Sequence, residues 1–167
     1  MKYRMFLLVA SVLLLGAGCL PTSNQSNSVP AETGATPEVK YTTENSLNLS
    51  GRKLTRVPED VFGQTNLVEL DLSNNQLTNA IQSQIGNLKN LKILNLSNNQ
   101  MTGVPAEVGQ LRYLEVLDLS YNQLTGLPYE LGNLKNLKTL NISGNNYSEL
   151  DLKKIQEGLP VGVNIIR

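Results

Sequence analysis

The chain has 167 residues, with 14 Lys and Arg against 14 Asp and Glu, no His, no Trp and a single Cys. A formal charge of zero gives no electrostatic footprint for nucleic acid, which asks for a clustered basic face. One cysteine excludes an internal disulfide and a cysteine-based metal cluster, and without His the usual general base at neutral pH is missing.

Residues 1–18 read as a signal peptide. Lys2 and Arg4 supply positive charge, and Met5 to Leu15 is apolar with Ser11 as its one polar break. That run is shorter than the roughly 20 residues a membrane span needs. Gly16-Ala17-Gly18 then precedes Cys19. The arrangement resembles a bacterial lipoprotein signal, whose cleavage leaves the cysteine at the new N-terminus carrying lipid. Ala17 and Gly18 fit that motif, while Gly16 stands where Leu is usual. The resemblance implies lipidation of Cys19, secretion across the inner membrane and anchoring to the cell envelope, since several acyl chains hold stably. In a two-membrane bacterium, Leu20 in place of Asp implies the outer membrane; in a single-membrane one, the cell surface. An ordinary signal peptide cut near Ala17 or Gly18 is the alternative. After Cys19, the stretch to residue 44 reads LPTSNQSNSVPAETGATPEVKYTTE and has almost no large apolar side chains. It cannot bury enough surface to offset its ordering entropy and reads as a disordered tether, with a reach on the order of 25–30 Å.

From residue 45 to 167 one unit recurs, starting near 47, 67, 91, 114 and 137. Leu70, Leu94, Leu117 and Leu140 mark intervals of 24, 23 and 23 residues. Within each unit the leucines alternate with polar residues, as in Leu94-Asn95-Leu96, a period of two that predicts a half-buried strand. The repeated L-x-x-L-x-L-x-x-N-x-L at this period resembles the leucine-rich repeat family. The resemblance implies an α/β solenoid: a right-handed coil with a parallel concave β-sheet and short 3-10 or irregular turns on the convex side. It also implies that Asn75, Asn99, Asn122 and Asn145 turn inward as a structural ladder. Backbone groups stranded inside such a coil need partners, and stacked amides supply them. Pro58, Pro105 and Pro128 predict an extended entry to each convex turn. The second unit has Gln82 there and one extra residue, which predicts a local bulge on the convex side. The first unit has Arg52 in the ladder position and Gln64 in place of a leucine, with Phe62 nearby to fill the gap, as expected of a terminal repeat. At the other end, Ser148 to Asp151 fits a capping box ahead of Leu152 and Ile155, and 163–166 reads as a last strand. Helix and strand together predict a C-terminal cap.

No constellation for catalysis is present, so the chain reads as no enzyme, with no cofactor, metal or small-molecule substrate. Asp71 and Asp118 flank Asn95 in one column, with neighbouring rungs about 4.8 Å apart, too far for a tight carboxylate pair. The N-x-S sequences at Asn48, Asn95 and Asn141 follow from the strand consensus. The outward strand positions are the candidate binding surface. Most stay near consensus; Ile93, Val116 and Tyr121 depart from it and are expected to form one mid-array patch, with Asp71, Asn95, Asp118 and the serine column as its polar rim. These readings converge on a module that holds a protein or peptide partner, joined to the membrane through an N-terminal lipid. A structural envelope spacer or a surface adhesin without a discrete high-affinity partner is the alternative. Cys19→Ser is expected to abolish incorporation of labelled fatty acid and to release or mislocalise the protein; unchanged labelling would refute lipidation at this residue.

Overall fold

The computed structural model describes residues 40–41 and 45–167. The expected signal peptide, Cys19 and nearly all of the expected tether lie outside them. Among the described residues, in chain order, the strands are β1 (Lys40–Tyr41), β2 (Ser46–Asn48), β3 (Glu69–Asp71), β4 (Thr78–Asn79), β5 (Ile93–Asn95), β6 (Gln100–Met101), β7 (Val116–Asp118), β8 (Thr139–Asn141) and β9 (Asn164–Ile166), with one α-helix, α1 (Glu149–Gln156), between β8 and β9. A seven-stranded sheet runs β1-β2-β3-β5-β7-β8-β9. β1 is antiparallel to β2; every other pair in the sheet is parallel and in register, so that Leu47, Leu70, Leu94, Leu117, Leu140 and Ile165 form one row. The five leucines of that row are buried, as are Leu49, Leu72, Leu96, Leu119 and Ile142 two positions on. The alternation in sequence is therefore an inward row and an outward row of one solenoid-like sheet.

The chain leaves each strand after three residues, and an asparagine handles the backbone it exposes. The Asn99 amide donates to the carbonyls of Leu72 (3.0 Å), Leu96 (3.1 Å) and Ser97 (3.1 Å), while its oxygen accepts from the Leu77 N–H (3.1 Å). Asn122 repeats this with Leu96, Leu119, Ser120 and the Met101 N–H, and Asn145 with Leu119, Ile142, Ser143 and the Leu124 N–H. Asn75 adds a fifth bond, accepting from both Arg52 and Leu54 N–H groups. Each side chain thus binds its own turn to the turn before it. Asn75, Asn99 and Asn122 are buried, and Asn145 is half-buried.

Opposite the sheet lie four 3-10 segments, Glu59–Gly63, Ser83–Asn87, Ala106–Gln110 and Tyr129–Asn133. Pro58, Pro105 and Pro128 precede three of them in extended conformation; Gln82 precedes the fourth at φ −63 and ψ 141, the same geometry without the ring. Its Nε2 donates to the Val57 carbonyl at 2.6 Å, a bond to the preceding repeat that proline cannot make. The extra residue of the second unit differs from expectation. It falls at Asn79–Ala80, ahead of the 3-10 segment, where Asn79 takes a left-handed φ of 57. There it opens a short parallel pairing of β4 with β6 rather than a bulge on the 3-10 side. The 3-10 segments stack closely enough to demand glycine: a Cβ on Gly109 would collide with the Glu130 carbonyl, and one on Gly86 would sit 3.1 Å from Glu107 Cβ. In the first unit Phe62 holds the equivalent position and is buried. The tight stacking therefore begins only at the second segment.

In the fifth unit α1 replaces the 3-10 segment. Leu152 and Ile155 are buried, and the Ile155 carbonyl lies against Gly132 of the preceding 3-10 segment. Ser148 Oγ accepts from the Asp151 N–H (3.3 Å), but the Asp151 carboxylate does not reach back as a capping box requires. It accepts instead from the Leu127 N–H and the Tyr129 hydroxyl, tying the helix to the preceding repeat. β9 then pairs with β8.

Asn99→Leu is expected to orphan buried backbone groups at roughly 1–3 kcal/mol each, read as a lower denaturant midpoint with unchanged m-value. Gly109→Ala is expected to destabilise clearly, whereas Gly103→Ala, with nothing within 4 Å of the added Cβ, should melt as wild type does. Equal melting curves for the two alanine variants would contradict the stacking.

Candidate functional site

The outward face of the sheet is built from four columns. The first runs Ser46, Glu69, Ile93, Val116, Thr139. Ser46 is buried and donates to Glu69 Oε2 at 3.3 Å; the other four are half-buried. Ile93 and Val116 are register partners on adjacent strands, so their side chains stand side by side.

The second column, Asn48, Asp71, Asn95, Asp118 and Asn141, is occupied with its own turns. Asp71 Oδ1 accepts from the Ser73 N–H (2.9 Å), and Asn95 Oδ1 from the Ser97 N–H (3.1 Å) and hydroxyl (2.8 Å). Asp118 Oδ1 accepts from the Ser120 N–H (2.9 Å) and hydroxyl (2.6 Å), while its Oδ2 accepts from Asn141 Nδ2 (3.1 Å). An acceptor two residues before the turn N–H is the Asx turn. It accounts for the recurring Asn/Asp-x-Ser without any modification. The serines in turn are not an exposed rim: Ser73, Ser97 and Ser120 are buried. That part of the expected rim is internal: the Ser97 and Ser120 hydroxyls fold back onto the amide or carboxylate beside them, and Ser73 Oγ accepts from Asn74 Nδ2.

The fourth column, Gly51, Asn74, Asn98, Tyr121 and Gly144, is left-handed throughout, with φ between 51 and 69. Glycine and asparagine are the residues that tolerate this region, which accounts for four of the five. Tyr121 is the exception, at φ 51 and 63% exposed. Its ring lies over the next repeat where that repeat has no side chain: a Cβ on Gly144 would be 2.7 Å from Tyr121 Cδ1. Tyr121 lies past the end of β7, on the left-handed turn five residues after Val116, whereas Ile93 and Val116 open their strands. The residues expected in one patch thus fall on two parts of the repeat, an aliphatic pair at the start of the strands and an aromatic on the turn beyond them. The run of Gly and Asn at 51, 74, 98 and 144 was the signal for a left-handed column, and Tyr121 breaking it was the signal for an unusual site.

On the turn entering β7, Lys138 hydrogen-bonds the Glu115 carboxylate, and with Lys92 at 3.9 Å it holds that carboxyl below the usual carboxylate range. Among the described residues no group of three His, Cys, Asp or Glu side chains is placed to hold a metal ion, and no helix is long and apolar enough to cross a membrane.

Residues 45–157 match the model of a leucine-rich repeat region. No curated protein matches. Among solved structures, a leucine-rich repeat protein of Leptospira interrogans is 40% identical with a TM-score of 0.64, over 69% of this chain and 29% of that one. The plant peptide hormone receptor RGFR1, in complex with RGF2, is 36% identical with a TM-score of 0.60, over 73% of this chain and 20% of the receptor. The leucine-rich repeat ectodomain of the Arabidopsis receptor kinase HAESA, in complex with an IDA peptide hormone ligand, is 33% identical with a TM-score of 0.55, over 66% of this chain and 19% of that one. The chain thus spans under a third of the length of each. The family matched is a repeat region whose fold typically serves as a binding scaffold, and no enzyme family is indicated. With the repeat, the parallel sheet and the asparagine bonds continuous through the matched residues, the chain belongs to the leucine-rich repeat family.

Proposed function

We propose that the protein is a non-enzymatic binding module of the cell envelope, carried by lipid on Cys19, spaced from the membrane by residues 19–44, and holding a protein or peptide partner on the concave face of a repeat domain over 45–167. In this reading α1 and β9 close the far end of the coil. The observation that carries the binding surface is Tyr121. A left-handed conformation costs an ordinary L-residue roughly 1–2 kcal/mol, and an exposed ring recovers little of it within the fold. Local strain of this kind collects where a ligand is clamped. Ile93 and Val116 offer a second, apolar contact at the other end of the strands, and exposed aromatic and aliphatic anchors are what hot spots are made of. The two plant receptors that resemble this chain were solved with hormone ligands bound, which supports a peptide or protein as the class of partner. The structural reading, a spacer or adhesin without a discrete partner, gives Tyr121 no role.

The test separates stability from binding. Tyr121→Asn places in the left-handed position the residue found at Asn74 and Asn98, so the protein should melt at the same or a higher temperature. Capture of the partner from envelope extracts should nonetheless weaken by more than tenfold, about 1.4 kcal/mol. Val116→Ser should weaken it too, while Glu130→Gln on the 3-10 side should not. Capture indifferent to both sheet-face variants would remove the concave face from the proposal.

A further inference from the structure

We infer a second binding surface, on the edge of the sheet where the chain enters each strand, that takes an extended acidic segment of a protein partner. It stands independently of the concave face. Each 3-10 segment is followed by a turn, at 65–66, 89–90, 112–113 and 135–136, and these turns stack along one edge. Asn90 Nδ2 donates to the Thr65 carbonyl at 3.0 Å, and Asn136 Nδ2 to the Arg112 carbonyl at 2.7 Å. The edge therefore has a small amide column of its own, through Asn66, Asn90 and Asn136. Tyr113 interrupts it, 56% exposed, where an asparagine would reach back to the turn before.

Charge is concentrated on the same edge. Lys89, Arg112 and Lys135 hold one position of successive turns, and Lys92, Glu115 and Lys138 hold another. Among the described residues Lys89 and Lys135 bond only neutral oxygens, those of Gln110 and of the Gly132 and Gly158 carbonyls. Among the described residues no carboxylate lies within ion-pair distance of Lys89, Arg112 or Lys135. A chain neutral overall thus shows, among the described residues, five cations and one carboxylate, Glu115, along a single edge. The balancing acids are elsewhere: Glu59, Asp60, Glu107 and Glu130 in the first turns of the 3-10 segments, Asp71 and Asp118 in Asx turns.

Tyr113 forms a wall between two clefts. One, about 660 Å³, is lined by Lys89, Gln110, Arg112 and Asn133; the other, about 530 Å³, by Asn66, Asn90 and Lys92. Cations for carboxylates, side-chain amides for main-chain N–H and C=O groups, and an aromatic partition for a side chain on either side match the needs of an extended acidic peptide. A flat anionic membrane would use the cations but neither the clefts nor the amides. A nucleic acid would meet a single aromatic and a carboxylate in the middle of the row.

The full chain is titrated by fluorescence anisotropy with a Glu-rich peptide and its Gln-for-Glu counterpart. Sedimentation with phosphatidylglycerol vesicles and binding of a mixed-sequence single-stranded oligonucleotide are measured in parallel. The acidic peptide should bind, more weakly as salt rises, and the Gln peptide should not. Lys89→Ala/Arg112→Ala should weaken binding about tenfold, whereas Glu115→Gln, which frees Lys92 and Lys138, should tighten it; a merely unfolded variant cannot move in both directions. Tyr113→Asn restores the amide column, so it should weaken binding while leaving the melting temperature unchanged or raised. Equal binding of the two peptides overturns the inference, as does a Glu115→Gln effect in the same direction as the double alanine variant. So does vesicle or oligonucleotide binding that depends on Lys89 and Arg112 in a protein that ignores the acidic peptide.

Discussion

The fold depends on a pairing problem that a helix or a wide sheet does not have. A chain that gives only three residues per repeat to a strand and then turns away leaves interior backbone groups that the strand ladder does not reach, such as the Leu72, Leu96 and Leu119 carbonyls and the Leu77 and Met101 N–H groups. Leaving them unpaired would cost more than the leucine burial returns locally. One asparagine per repeat resolves this by serving four or five backbone groups at once, on its own turn and on the one before. The leucines could pack in more than one register. The amide fixes the register, because its donor and acceptor ends address different repeats.

The 3-10 side is tuned by a second constraint, distance. From the second segment onward glycine lets neighbouring segments touch backbone to backbone. At the first, Phe62 fills the space instead. The same junction carries the extra residue of the second repeat, the β4–β6 pairing and the Gln82 bond to Val57. A bulky side chain in place of glycine and a longer connection beside it both relieve one requirement of close stacking, and the Gln82 amide then replaces part of the lost contact. These departures belong together as one local solution.

Much of this was legible because the repeat states each position several times. The strands and the inward leucines could be read from period and alternation, the ladder asparagines followed from the family resemblance that the repeats carry, and Ser148 at the start of α1 from its capping pattern. What was not legible depended on which atoms a polar side chain answers to. The serines after each strand read as surface residues, yet the neighbouring Asp or Asn folds them into Asx turns, a local bond with no periodic signature of its own. Tyr121 read as a neighbour of Val116 because both hold outward positions, but β7 ends at Asp118 and Tyr121 stands on the left-handed turn beyond it. The left-handed column was visible in principle from Gly51, Asn74, Asn98 and Gly144, since those types share backbone permissiveness and nothing else.

In an array of near-identical units, consensus positions answer to the fold, so information about anything outside the fold collects where a unit departs at structural cost. Tyr121 takes a conformation suited to glycine or asparagine, and Tyr113 gives up an amide that its neighbours use to bind turn to turn. Neither ring is needed for burial, as both are more than half exposed. The overall charge points the same way: 14 against 14 conceals an edge on which cations outnumber carboxylates, because the fold sends one position of every repeat to one place. Composition averages over faces that stacking separates. For a repeat protein the partner's chemistry is therefore read column by column, from the residues that their own column does not explain.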